Sequence, residues 1–420
     1  MGLARGQKMK TVTKKDRDII REIARKHLEL SHSKENEKVL EKWKCIEQGK
    51  TGEPTVRFPV SNFTNETITP RLRCEGEEAR NLEFQLLFST AGRDLFDDDT
   101  PVTDEFPVQQ NIWVTPFNIA SKLTRAQGEN AKGYHIDPVI HDLAEDFDKI
   151  KEGFFFPNIE ATNQAVEFAS DIFGDILQVK RVMRSLEGSI TNALVHLMGM
   201  ETLYLSMYDY PHLLHRLMDS ACQVYERYYD YLENEGLLLP AAGISPVAQE
   251  SYAFNNELPA DKATKTTDCW GFLESQETTA VSPETFAEFV FPYQNRLAKR
   301  FGLLSYGCCE RVDAIWEHIS KWKNLRKLSV SPFNDAMLVG EYLRGSNIVY
   351  YSKPRAEHVT LPGPLNEEAV IGSFKEIARA ASGCMLEIAQ REVGTIFGDY
   401  ERGRRYVELA KQTISKYWQP

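Results

Sequence analysis

Apolar residues recur every three or four positions through residues 14–31, with Ile19, Ile20, Ile23, Ala24 and Leu28 on one face. That period predicts an amphipathic helix, and Thr13 is a residue type that caps one. A second such pattern covers 33–48, where Val39, Leu40, Trp43 and Ile46 share a face. Short extended runs are expected at 56–60 and 68–72, then a helix over 77–92. Asp97, Asp98 and Asp99 read as a solvated loop, because the spacing of a calcium-binding EF-hand is absent. Residues 1–105 are therefore expected to form a mostly helical N-terminal extension packed on the rest.

From Gln109 the pattern becomes strand, loop, helix. Strands are predicted at 111–115, 176–182, 236–239, 266–273, 303–306, 325–330, 347–352 and 385–389. Helices are predicted at 161–173, 186–199, 202–208, 212–234, 282–300, 312–322, 335–343, 365–381 and 402–416. Two long polar stretches, 116–135 and 245–265, read as loops. Strands alternating with helices imply a parallel sheet covered by helices. With near eight of each, the expected fold is α/β, a (β/α)8 barrel over residues 106–420. No G-x-G-x-x-G or P-loop motif points instead to a doubly wound nucleotide binder.

Composition narrows the function classes. The chain has 420 residues, 42% of them hydrophobic, and a net charge of −11. The acidic balance argues against a nucleic-acid binder with a broad basic face. No run approaches the roughly 18 apolar residues of a membrane span. Residues 1–10 lack an apolar signal core, Met9 could also initiate, and Gly2 with Gly6 does not complete a myristoylation pattern. The expected location is cytoplasmic. Seven cysteines, an odd number, then read as reduced thiols rather than a disulfide framework. The glycosylation patterns at Asn62 and Asn65 read as chance matches.

One junction stands out for chemistry. In Leu303-Leu304-Ser305-Tyr306-Gly307-Cys308-Cys309-Glu310, a short apolar strand ends in two thiols and a carboxylate. In a barrel, that strand end is where active sites are built. Neighbouring strand ends add Glu274 and Gln276, Ser331, Lys353, and then Gln390, Arg391 and Glu392. Thiolate with carboxylate suits zinc with an open position for substrate. Cys308, Cys309 and Glu274 are the candidate ligands. A cysteine nucleophile would need a nearby base, and the junctions hold no histidine. His135 and His141 flank a loop that could fold over the barrel, and either reads equally as a surface residue. Buried, inert thiols remain the plain alternative. Trp270 could line an apolar pocket or pack the core.

Tyr306-Gly307-Cys308-Cys309-Glu310, followed by Asn324 through Pro332, resembles the uroporphyrinogen decarboxylase superfamily. Ser282-Pro283-Glu284, Phe291-Pro292-Tyr293, Lys353-Pro354 and Arg391-Glu392-Val393 fit the same pattern, over most of the chain. More narrowly, the chain is similar to the bacterial branch of corrinoid-dependent methyltransferases. The resemblance implies a distorted barrel with a funnel-shaped site. In that branch a zinc is held by a His-x-Cys pair and a distant Cys. Cys308 falls at the first cysteine, while Tyr306 stands at the histidine.

The leading expectation is an enzyme moving a methyl group between a methylated small molecule and a separate corrinoid protein. Glu310 and Tyr306 are its expected catalytic residues. Trp270, Gln276, Ser331 and Lys353 are expected to bind substrate. Decarboxylation of a tetrapyrrole-like polycarboxylate is the alternative, using Arg311, Lys353 and Arg391. A barrel that only binds is the third reading. Barrels with helical extensions often pair, so a homodimer stays open.

Overall fold

The computed structural model describes residues 12–119, 121–125, 134–241, 243–254 and 256–420. Its centre is a seven-stranded sheet in which each neighbouring pair is parallel. The strands are β1 (Thr55–Arg57), β2 (Leu186–Glu187), β3 (Trp270–Leu273), β4 (Leu303–Tyr306), β5 (Leu325–Val330), β6 (Val349–Ser352) and β7 (Leu386–Ala389). They lie in the order β1-β7-β6-β5-β4-β3-β2. A separate parallel pair joins Glu105–Gln109 to Gln178–Val182, and only Met183, Arg184 and Ser185 separate Val182 from β2. The architecture is thus mixed α/β, and no described pairing closes the seven strands into a ring. No described helix is long and apolar enough to cross a membrane.

The helices form where the apolar period ends in a capping residue. Thr13 and Ser33 accept the N–H groups of Asp16 and Asn36, and open helices Lys14–Ser31 and Lys34–Glu47. Asp335 caps Ala336–Leu343 and Asp399 caps Tyr400–Tyr417 in the same way. Alternation along the strands separates two faces. Val56, Leu304, Tyr306, Leu328, Tyr350, Leu386 and Ile388 pack into the main core with the helices. The opposite face carries Arg57, Ser305, Lys327, Tyr351 and Glu387. A hairpin, Gly243–Ala248 with Ser251–Ala253, lies against it.

Several local expectations need correction. Residues 68–72 are not extended but pass through the short helical turn Thr69–Arg71. Residues 236–239 form no strand, and Leu186 and Glu187 are strand rather than helix. The helix expected over 312–322 is reduced to Trp316–Ile319. Part of the polar stretch 116–135 is paired with the segment after it, Lys122–Arg125 with Tyr134–Asp137; residues 126–133 lie outside the described ones. The stretch 245–265, expected as loop, contributes most of the hairpin. Asp98 and Asp99 are buried, not solvated. Asp99 accepts from Val56 N at 2.8 Å and Asp98 from Phe58 N at 2.7 Å. Their carboxylates serve the edge of β1 that no strand covers, where bare N–H groups would be costly. β1 itself shows that residues before 105 supply part of the central sheet.

Candidate functional site

The C-terminal ends of β3 to β7 bring Glu274, Cys308, Ser331, Lys353 and Gln390 into one region. Gly307 makes the turn out of β4: its φ is +98°, and an added Cβ would lie 3.2 Å from the Ser329 side chain. Glycine suits such a backbone. The turn presents Cys308 and Cys309, both half-buried, with sulfurs 3.7 Å apart. Glu310 folds back beneath them. Its Oε1 accepts from Ser275 N at 2.8 Å and its Oε2 from Cys308 N at 2.6 Å. Ser329 and Ser331 hold the turn by donating to the Cys308 and Cys309 carbonyls at 2.9 and 3.0 Å. Lys353 Nζ also donates to the Cys308 carbonyl, at 2.9 Å, and to Gln249 Oε1 on the hairpin tip.

The electrostatics distinguish the two thiols. The Cys308 thiol is raised by its hydrogen bond to Cys309 and by burial. The Cys309 thiol is lowered to about 7, first by that hydrogen bond and then, against burial, by the charge of Lys353. These interactions favour the Cys309 thiolate, the form that reacts. The carboxyls move the other way. Burial lifts Glu274 well above the usual range, and the charges of Glu277 and Glu310 add to it. Burial also raises Glu310, against the N–H groups it accepts. Two carboxyls sharing a buried site disfavour double ionisation. The site pairs a thiol whose ionisation is favoured with carboxyls whose ionisation is disfavoured.

The predicted site residues divide between this region and elsewhere. Glu274, Gln276, Cys308, Cys309, Glu310, Ser331 and Lys353 come together. Gln276 N donates to Glu274 Oε2 at 3.1 Å. Tyr306 turns away, onto the face that meets the helices. Its ring lies 5.2 Å from that of Trp322, and its hydroxyl is 2.9 Å from Ser275 Oγ. It supports Ser275, which in turn donates to Glu310. Trp270 begins β3, so it sits at the opposite end of the sheet. There it lines a cavity of about 310 Å³ with Glu47, Arg326 and Val349. His135 and His141 are exposed on the far hairpin and its following loop. Sequence reasoning missed Gln249, Gln294, whose Nε2 donates to the Glu274 carbonyl at 2.9 Å, and Asn334, whose Nδ2 donates to the Glu310 carbonyl at 3.1 Å. Ser275 was visible as a polar residue just past an apolar strand; Gln249 carried no signal.

Two thiols 3.7 Å apart can share an ion. Both Glu310 oxygens already accept backbone N–H groups. Among the described residues no group of three or more His, Cys, Asp or Glu side chains is placed to hold a metal. The arrangement does not fit a three-ligand zinc site.

Fold and site together define a mixed α/β protein whose polar cluster sits at the ends of parallel strands, the usual place for a site in such sheets. No family model matches the sequence, and no curated protein does. Among solved structures, the chain is similar to a methyltransferase from Methanosarcina mazei, at 13% identity over 89% of this chain and 98% of that one, with a TM-score of 0.51. At that identity the likeness shows the fold alone.

Proposed function

We propose that this chain is a methyltransferase, built on a (β/α)8 barrel, that removes a methyl group from a small methylated molecule and delivers it to a corrinoid on a separate protein. The observation that carries the reading is the buried Glu274 carboxyl, whose charged form is disfavoured, beside the Cys308–Cys309 pair at the strand ends. A methyl group on oxygen, nitrogen or sulfur is a poor electrophile until its heteroatom is protonated. Glu274 gives its proton to that atom as the methyl bond breaks, leaving the demethylated product and a Glu274 carboxylate. Glu310 holds Ser275 and Cys308 in place, and Lys353 holds the turn from above. The corrinoid supplies the nucleophile that accepts the methyl group. Barrel closure would run from Glu105–Gln109 through Gln178–Val182 into β2, giving eight parallel strands in chain order.

The test combines the purified chain, a reduced corrinoid protein and a panel of O-, N- and S-methyl compounds, with the methyl signal followed by NMR. Demethylation should require both proteins. Glu274→Gln should lower kcat by about 10²- to 10⁴-fold, the usual range for a general acid. No demethylation across the panel would sink the reading. If zinc is bound by the thiol pair, its further ligands must come from solvent or substrate. Metal analysis with and without Cys308→Ala tests that separately. The carboxy-lyase alternative has less support, since Arg311 is paired with Asp313 at 2.6 Å.

A further inference from the structure

Arg391 is the second residue past β7, and it enters the region of the thiols from the side opposite Glu274. The polar groups around it are engaged. Gln390 donates to the Pro354 and Arg391 carbonyls at 3.2 and 3.0 Å. Lys353 donates to Cys308 and Gln249. Arg57 donates to the Glu250 carbonyl, and Arg311 pairs with Asp313.

Arg391 differs. Among the described residues its guanidinium makes no hydrogen bond. Its one ion pair is with Glu392 at 3.5 Å, and the Glu392 side chain is 63% exposed while that of Arg391 is 20% exposed. A guanidinium has five N–H donors in a rigid fork and pays a desolvation cost when they go unused. Its surroundings are those of the site. Burial works against its charge, while Tyr351, Glu250, Glu392 and Cys308 lie near enough to favour it. The fork matches a carboxylate through two parallel charge-assisted bonds.

We propose that Arg391 anchors a carboxylate of the substrate, so that the molecules this site takes are methylated carboxylic acids. The word "methylated" rests on the methyl-transfer reading; the anchor does not.

Binding tests the anchor without turnover. Methoxyacetate, a methoxybenzoate and dimethylglycine would each be titrated calorimetrically into the native chain beside their neutral amides. At least one acid should bind, about 10- to 100-fold tighter than its amide, the range expected for a bidentate charge-assisted contact. Arg391→Gln should erase that preference, and Arg391→Lys should restore only part of it. Equal binding of acids and amides, a preference that survives Arg391→Gln, or no acid binding up to the millimolar range would each overturn the proposal. Inorganic phosphate binding at Arg391 more tightly than any acid would also overturn it. Acid binding through Arg391 without demethylation would keep the anchor and remove the methyl-transfer reading. Demethylation of neutral ethers alone would do the reverse.

Discussion

Two clusters of buried charge occupy the same sheet, and they are built differently. The first centres on Lys327, halfway along β5. Its Nζ lies 2.5 Å from Glu47, 3.0 Å from Glu387, 2.6 Å from Ser251 Oγ and 2.9 Å from the Tyr252 carbonyl. It is also 5.7 Å from the Trp43 ring and 5.9 Å from that of Trp270. These side chains are buried, with Glu47 and Trp270 lining the cavity at that end of the sheet. The second, at the strand ends, leaves groups available: two half-buried thiols, a raised carboxyl on Glu274, and the unbonded fork of Arg391. Both contain a lysine, carboxylates and a contact to the hairpin. In the first, each charge is paired with a neighbour, although Oε1 of Glu387 is buried without a hydrogen-bond partner. In the second, neighbours fix the backbone and leave the reactive atoms open. The first therefore reads as structure and the second as chemistry.

The sharpest way to break the comparison is to remove each lysine. Lys327→Met leaves Glu47 and Glu387 as buried carboxylates without a cation. That should cost about 3–5 kcal/mol, the range for an uncompensated buried charge. Urea denaturation measures it. A loss under about 1 kcal/mol would mean that water reaches the cluster and that the contrast is false.

Glu47 sharpens the same cluster. One lysine cannot neutralise two carboxylates, and burial raises Glu47 from 4.5 to about 7. The native state then holds this proton where the unfolded chain has released it. The stabilisation is full below 4.5 and is lost as pH rises through about 7. The loss is on the order of 3 kcal/mol, at 1.36 kcal/mol per pKa unit. Glu47→Gln should flatten this part of the stability profile between about pH 5 and about pH 8. Glu274 and Glu310 contribute slopes of the same sign, so the difference between native and variant is the quantity to read. Parallel profiles would remove the assignment.

At the open cluster the matching change acts on reactivity. Lys353→Met removes the cation that lowers Cys309. Alkylation of Cys309 by iodoacetamide, mapped by mass spectrometry, should slow about fivefold near neutral pH for a rise of one pKa unit. Stability should fall by only about 1–2 kcal/mol, the cost of lost hydrogen bonds. An unchanged alkylation profile would show that the hydrogen bond from Cys308 alone holds Cys309 down.

The same contrast explains what could be read from sequence. β4 and β5 were legible because apolar runs ended at Gly307 and Ser331. Helix Lys14–Ser31 was legible because its period was long and capped. The cysteine–glutamate junction stood out as chemistry on residue type alone. The closed cluster was not legible. Glu47 ends a helix whose apolar face does not include it, and Lys327 sits between Arg326 and Leu328 with no local sign of burial. Its partners are 60 to 280 positions away, from Glu387 to Glu47. Leu186 and Glu187 were read as helix because two residues carry no period. Asp98 and Asp99 read as solvated because their ligands, the N–H groups of β1, belong to the backbone. Arg391 was visible as a polar residue at a strand end, but its open donors are a tertiary fact.

The smallest predicted effect falls on the segment that joins the two clusters. Ser251 and Tyr252 serve Lys327, while Gln249, two residues earlier, serves Lys353. Between them the chain reverses through Gln249 and Glu250, with φ of 46° and 74°. A two-residue hairpin turn of this kind favours Asn-Gly, and two long side chains there store strain. Glu250 Oε2 is also buried without a hydrogen-bond partner. What the tip gains is contact: the Gln249 carbonyl accepts from Tyr351 at 2.7 Å, and the Glu250 carbonyl accepts from Arg57. Both are backbone contacts that survive substitution. Glu250→Gly should therefore stabilise the chain by about 1 kcal/mol, from relieved strain and a removed unpaired acceptor. Thermal melting reads the sign. A rise in Tm would place the hairpin's cost at its tip, on the open side, where strain is tolerated for function. A fall would mean that the Glu250 carboxylate is itself a support for Arg391, and that the open cluster is more closed than its hydrogen bonds indicate.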